Sequence, residues 1–555
     1  MKRLNAPALA GILVALCAGV FHILFISDMG VTDDDRFYVP ASRSYALFWV
    51  QEVEGLFGYG PANGKKLQDR IDRHFSTNHE HPPFAKYVMG FSSLLFHDVL
   101  GLTDEDTGCR IGTVLFVVLC TFLVFLFTSE NFGIFAGLFA ALALNLHARF
   151  AFHARVPTLD AAMASMYFFT AYLVWRARQS RACAVLSGVV FGLALATKLN
   201  APFLLLPILV FWLLYKSNRI GLNKYKTALK LPSFTLAGPS LLILGPMVFF
   251  LSWPWLWHNT LARLLEYARF HLNHYGIYFL YLGKIYQKPF APWHAPFVML
   301  GCTTSILIMA FASIGLLWSV FGAWHDKERG ANKNMAWAGV YIVLHLLSCI
   351  SVVAFFNVPK YGGIKLFLTA VPFLAVLAGI GFTQVTGKLG SAIASLFPRA
   401  STAVPKNTAL AAGLVLALVP SAIDMARVHP YLLSYYGSLA GGPRGALDLG
   451  LERQYYDVFY TNLATWMSLN LPQNARVAFV PNTGEYISSA RFLKKAEILR
   501  KDIQVTTPGP ASYIVLTHEQ RWRNYPDLFQ RYRSFPLLHE VRVMGVPLLS
   551  VYKVR

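Results

Sequence analysis

Residues 84–100 read Phe84-Ala85-Lys86-Tyr87-Val88-Met89-Gly90-Phe91-Ser92-Ser93-Leu94-Leu95-Phe96-His97-Asp98-Val99-Leu100. The stretch is apolar enough to enter lipid, yet it carries Lys86, His97 and Asp98 and is short for a span, which needs about 20 apolar residues. Whether it crosses decides on which side every later loop lies. Clear apolar spans surround it, at 6–27, 109–128, 131–152, 160–176, 182–199, 200–216, 233–252, 296–322, 335–356, 364–385 and 408–424. If residues 84–100 do not cross, the cation-bearing short loops all fall on one face. They are Lys2 and Arg3; Arg176, Arg178 and Arg181; Lys216, Arg219, Lys224, Lys226 and Lys230; Lys327, Arg329 and Lys333; and Lys388, Arg399 and Lys406. Counted as a span, the stretch would scatter these loops over both faces, against the positive-inside tendency. It therefore reads as a juxtamembrane or re-entrant helix in a polytopic α-helical membrane protein of about eleven spans, with a range of roughly ten to thirteen.

Composition agrees. Of 555 residues, 55% are hydrophobic and 14% charged, and the mean hydropathy is +0.46, which excludes a soluble globular or disordered chain. The net charge of +21 sits in the short loops and does not signal nucleic acid. Six cysteines, Cys17, Cys109, Cys120, Cys183, Cys302 and Cys349, show no CxxC and no metal-type spacing, so neither a disulfide framework nor a zinc site is expected. Met1-Lys2-Arg3 before the apolar run Pro7 to Ile26 resembles a signal peptide. The run is long enough to span and no small-residue cleavage site follows it, so it reads as a retained first helix.

This topology places the N-terminus in the cytoplasm and five segments on the opposite face: a long first loop (28–108), short segments near 153–159 and 357–363, an aromatic loop (253–295) and everything after 424. The first loop is acidic, with Asp33, Asp34, Asp35, Glu52, Glu54, Asp69, Asp72 and Glu80. Beyond residue 430, apolar runs shorten and strand-like stretches appear at 475–480, 512–516 and 547–554. The expected division is a transmembrane module over 1–424 and a small extramembrane α/β domain over 425–555.

Asp33-Asp34-Asp35-Arg36 is the sharpest chemical feature. Adjacent carboxylates repel unless a cation binds among them or one takes up a proton, so the run reads as a general base, a metal ligand set or a solvated turn. In His79-Glu80-His81-Pro82-Pro83-Phe84-Ala85-Lys86 the prolines fix an extended approach to a helix start, and Lys86 then needs an anion or water. His79 and His81 are candidate metal ligands, as are Asp33 and Asp35 by their Asp-x-Asp spacing. Whether a divalent cation is needed stays open. Arg155 and Asp160 stand five residues apart at the outer end of a span, on the face that carries Asp33. Lys198 ends another span there, as a phosphate ligand or a snorkelling helix-end lysine. The aromatics from Trp253 to Trp293 suit an interfacial belt, or stacking on sugars or isoprenoids.

Taken in order, these segments resemble the protein O-mannosyltransferase and aminoarabinose-transferase branch of the GT-C glycosyltransferases. Asp33-Asp34-Asp35-Arg36-Phe37 stands where that family has an Asp-Glu pair and an aromatic, with Asp34 in place of the Glu. His81-Pro82-Pro83-Phe84-Ala85-Lys86, Arg155 through Leu159-Asp160, the Thr197-Lys198 segment, Tyr361-Gly362-Gly363-Ile364-Lys365 and Tyr435-Tyr436 are similar to its other motifs. No β-trefoil is found, which favours a bacterial-type member.

The resemblance implies inverting transfer of a sugar from a polyprenyl-phosphate donor to an acceptor hydroxyl at the periplasmic face of a bacterial inner membrane. Asp33, with Asp34 as its rival in register, would be the base. Asp160 would orient the acceptor, a base or a metal. Lys198, Lys86, Arg36 and Arg155 would hold the donor phosphate, and His79, His81 and Tyr361 would line the site. No cofactor is implied with certainty, and the acceptor is a protein or, alternatively, lipid A or another envelope glycan. A transporter or flippase would need mid-membrane charges, and the spans are nearly free of them. A sensor would need a cytoplasmic output module, which the short inner loops do not provide.

Overall fold

A computed structural model describes residues 6–56, 66–216, 236–273, 275–288, 290–322, 333–396 and 406–555. Among the inner-loop cations, Lys2, Arg3, Arg219, Lys224, Lys226, Lys230, Lys327, Arg329 and Arg399 lie outside the described residues, as do the side chains of Lys216, Lys333 and Lys406.

The chain is mainly helical. Among the described residues, five helices are long and apolar enough to cross a membrane: Pro7–Leu24, Glu105–Phe132, Met335–Ala354, Ala370–Leu389 and Asn407–Val428. A sixth crossing arises if Ile134–Asn145 and Ala148–Ala154, bent by 71° at their junction, count as one. Shorter apolar helices occupy Arg181–Leu195, Ala201–Leu214, Leu236–Ser252 and Ile306–Phe321. This count is lower than the number of apolar runs because several runs are interrupted. The run 296–322 breaks between Cys302 and Ile306, where Thr303 and Thr304 turn their hydroxyls back onto the carbonyls of Met299 and Leu300, both at 2.7 Å.

Residues 84–100 form a helix, Phe84–Ser93, that runs on into a wider turn over Leu94–Val99. It is not among the membrane-crossing helices. One face is buried against the helices Asp35–Leu56 and Glu105–Phe132, while Phe91, Leu95 and Val99 are exposed, as an amphipathic helix at a lipid boundary requires. Contact with Asp35–Leu56 is close enough to demand a glycine: a Cβ on Gly90 would lie 2.0 Å from the carbonyl oxygen of Ser42.

Near the C-terminal end lies a five-stranded sheet, ordered 504–505, 476–480, 513–517, 546–553 and 537–543. Its first three strands are parallel and its last two pair antiparallel. The helices Thr483–Lys495 and Tyr525–Tyr532 pack on it, and Leu463, Ala464 and Met467 of Thr461–Asn470 share a buried cluster with its Val477, Phe479 and Val515. A separate two-residue ladder, Val31–Thr32 against Val458–Phe459, joins this region to the start of the first loop. The acidic run Asp33-Asp34-Asp35 begins at the end of that ladder.

Candidate active site

The three adjacent aspartates face three different surroundings, because the chain turns from a strand into a helix at Asp35. Asp35 is fully buried, accepts from the Thr32 backbone N–H at 2.8 Å and from its hydroxyl, and pairs with Arg110 at 2.8 Å. Arg110 also holds Asp106 at 2.7 Å and the Gly30 carbonyl at 2.6 Å. Asp35 thus pins the turn, and Asp33 and Asp35 do not share a site. Among the described residues no group of three or more His, Cys, Asp or Glu side chains could hold a metal ion.

Asp34 points to a second cluster. Its carboxylate accepts from Lys365 Nζ at 3.0 Å and from the Tyr456 hydroxyl at 2.6 Å. Lys365, whose ammonium also sits 4.6 Å from the centroid of the Tyr456 ring, lies within electrostatic reach of Asp160. Asp160, in the first turn of Leu159–Arg176, pairs with Lys198 at 2.5 Å and lies 3.7 Å from His153 Nδ1. The other nitrogen of His153 meets the Tyr455 hydroxyl at 2.6 Å. Lys365 is presented by the turn Gly362-Gly363. Gly363 has φ +54°, and a Cβ there would come 2.3 Å from the Arg149 guanidinium, so only glycine fits. Asp34, Lys365, Asp160 and Lys198 form an alternating row of charges drawn from four segments.

Asp33 faces the third direction, toward the C-terminal region. Its Oδ2 accepts from the Asp457 backbone N–H at 3.4 Å, and its Oδ1 has no partner among the described residues. Asp457 is held by Asn482 at 2.6 Å and by Arg521 at 3.5 Å; Arg521 in turn donates to the Tyr455 carbonyl at 2.5 Å and lies 3.7 Å from Glu519. Burial, then the carboxylates of Asp457 and Glu485, hold the Asp33 carboxyl well above the ordinary carboxylate range, and Arg521 offsets this only in part. Burial also pushes Glu519 up to about 8 and Glu452 up to about 7.

The remaining expected residues lie elsewhere. Lys86 is fully buried and donates to Asn78 O (2.6 Å), Asn78 Oδ1 (3.0 Å), His81 O (2.8 Å) and Tyr45 OH (3.3 Å). These four acceptors exceed its three protons, and with them Lys86 clamps the 78–86 turn. Arg155 turns to the first helix, donating to His22 at 3.2 Å with its guanidinium over Phe21 and Phe25. Arg36 pairs with Glu485. His79 bonds Glu266 at 3.0 Å, whereas the His81 ring packs near His271 and Tyr38, so the two histidines do not converge. Tyr361 is close to Lys365, Asp160 and Asp34.

Sequence reading passed over Lys365 and His153, although both stand inside stretches it singled out, and over Tyr455, Tyr456, Asp457 and Arg521. Tyr455-Tyr456 repeats the doublet seen at Tyr435-Tyr436, which was the one available signal; Asp457 and Arg521 had none.

Residues 80–243, a segment that includes Asp160 and Lys198 but not Asp33, match the family model of dolichyl-phosphate-mannose-protein mannosyltransferases. No curated protein matches the chain. Among solved structures, the chain is similar to ArnT from Cupriavidus metallidurans bound to undecaprenyl phosphate, at 14% identity, covering 98% of this chain and 97% of that one with a TM-score of 0.44. The apo form of ArnT gives 16% identity over 98% and 97% with a TM-score of 0.46. The archaeal oligosaccharyltransferase AglB from Archaeoglobus fulgidus gives 13% identity over 97% and 74% with a TM-score of 0.47. Residues 80–243 are thus similar to the mannosyltransferase family named above, within a mainly helical chain whose described residues include five helices long and apolar enough to cross a membrane.

Proposed function

We propose that the chain moves a sugar, with inversion, from a polyprenyl-phosphate-linked donor to an acceptor hydroxyl at the periplasmic face of a bacterial inner membrane. The observation that carries the reading is the split between Asp34 and Asp33. Asp34 lies in a row of paired charges, while Asp33 beside it is only partly offset by Arg521 and has one oxygen without a hydrogen-bond partner among the described residues.

In this mechanism Asp33 takes the proton of the acceptor hydroxyl, for which a raised proton affinity suits a base working near neutral pH. The acceptor oxygen bonds to the anomeric carbon as the bond from that carbon to the phosphate oxygen breaks. The electron pair leaves with the polyprenyl phosphate, and Asp33 then gives its proton to water. Lys198 and Lys365 stabilise the phosphate charge from the positions where Asp160 and Asp34 hold them. Tyr456 and His153 fix those carboxylates in place. Residues 1–424 carry the site in this scheme, and 425–555 form an outer domain whose residues around Asp457 complete it. The acceptor is a protein hydroxyl or an envelope glycan.

The test is transfer of radiolabelled sugar from synthetic polyprenyl-phosphate sugars by purified protein in detergent. Turnover lost in Asp33→Asn with folding retained supports the scheme. A dead Asp34→Asn beside an active Asp33→Asn moves the base by one residue. No turnover and no donor binding by folded protein overturns the reading.

A further inference from the structure

An open cleft of about 620 Å³ lies between the hairpin 279–286 and the C-terminal region, inside the ~300–1,000 Å³ range of small-molecule sites. None of its fifteen lining residues is acidic, and three, Arg453, Arg523 and Arg533, are arginines. Arg523 and Arg533 are exposed at its rim. Two donors lining it are buried without a partner among the described residues, Arg453 Nε and Trp522 Nε1. Such groups are costly in a folded protein unless a ligand or water meets them.

The rest of the lining is amide and aromatic. Gln520 and Gln530 supply neutral hydrogen bonding, and the rings of Tyr525 and Phe529 lie nearly parallel at 24°, with centroids 5.9 Å apart. Arg533 lies over the Phe529 ring at 5.9 Å, and at the opposite wall Arg523 lies over Tyr278, which packs on Trp522 at 5.4 Å. Guanidinium forks match phosphate or carboxylate oxygens two at a time. Flat rings with amides suit the apolar faces and hydroxyls of a pyranose better than the irregular outline of an acidic peptide.

The cleft shares its chain segments with the candidate active site. Arg453 precedes Tyr456 by three residues, so at about 3.3 Å per extended residue their Cα atoms lie within roughly 10 Å, and Trp522 follows Arg521 directly. A bond from Gly283 N–H to Gly450 O, 2.9 Å, holds the hairpin wall against the segment that leads to Arg453.

From these features we infer that the cleft is a binding subsite for a carbohydrate bearing a phosphate or carboxylate, through which the acceptor is presented to the transfer site; the acceptor role rests on the proposed transfer reaction.

Calorimetric titration of the full chain in detergent, with no lipid donor present, tests binding independently of catalysis. The probes are trigalacturonate, maltotriose, inorganic phosphate and a hexaglutamate peptide. Trigalacturonate is expected to bind at least tenfold more tightly than maltotriose or phosphate. That affinity should fall at least tenfold in the Arg523→Ala/Arg533→Ala variant and severalfold in Trp522→Phe, at unchanged melting temperature. Equal affinity for maltotriose or for phosphate alone, tighter binding of hexaglutamate, or an unaffected double variant overturns the inference. Saccharide binding that persists in a chain with no transferase activity would retain the subsite and reject the reaction.

Discussion

Asp33 and Asp34 are neighbours in the chain and opposites in electrostatics. On the Asp34 side, two carboxylates alternate with two lysines, Lys365 and Lys198, so every charge has a partner within 3.0 Å. On the Asp33 side, among the described residues, Asp33, Asp457, Glu485 and Glu519 are answered by Arg521 and Arg36, with Arg453 acting on Glu519. The first arrangement fixes its members pair by pair. The second holds the Asp33 carboxyl well above the ordinary carboxylate range. A glycosyl transfer needs both, a steady positive field for the leaving phosphate and a carboxylate that prefers to be protonated. A two-residue ladder followed by a turn separates them with no extra chain.

The strongest way to break this contrast is Asp33→Asn, which should cut transfer by roughly 10²–10⁴-fold while leaving donor affinity and melting temperature near their native values. Lys198→Ala comes next. It should cost about 10²-fold in turnover and strand the buried Asp160 carboxylate, so donor affinity and stability should fall together, readable by lipid-phosphate binding and thermal melts. Lys86→Met separates structure from chemistry: melting temperature should drop while polyprenyl-phosphate affinity in the surviving folded protein stays within about twofold, because Lys86 holds backbone carbonyls.

Asp457→Asn sharpens the contrast through pH. Transfer requires ionised Asp33, so the rate should rise with pH through the raised Asp33 titration; removing a facing negative charge should move that limb to lower pH. An unmoved limb would show that Asp457 does not set the proton affinity of the base. The smallest effect expected is at Glu519. Its folded proton affinity lies above the unfolded one, so the stability it contributes is complete below about pH 4.5 and is lost as pH rises through about 8. Glu519→Gln should therefore flatten the pH dependence of unfolding over that window, gaining about 1 kcal/mol above pH 8.

Much of this was legible beforehand. Apolar runs announced a helical membrane protein, and the charges within 84–100 marked a helix that does not cross. Asp160 and Lys198 could be read as companions because each sits at a helix end on the same side, and the structure puts them 2.5 Å apart. The carbonyl partners of Lys86 were not legible, because no side-chain pattern reveals a turn's carbonyls. Lys365 was hidden by its place beside an apolar run, although the preceding Gly362-Gly363 marked a turn. Asp457 and Arg521 were illegible for a different reason: in a polar region, one more acid or base carries no signal until the fold brings it against the first loop.

The short ladder between Val31–Thr32 and Val458–Phe459 also bears on when in synthesis the surroundings of Asp33 come together. Asp33 and the backbone N–H that it accepts are 424 residues apart. At ~5–20 residues per second, a ribosome takes roughly 20–85 s to travel that distance. Throughout that interval the first helix and its acidic turn are already made, yet the segment that sets the proton affinity of Asp33 is not. A nascent chain that stops short of Asp457 therefore lacks the backbone N–H and the carboxylate that surround Asp33 in the folded protein.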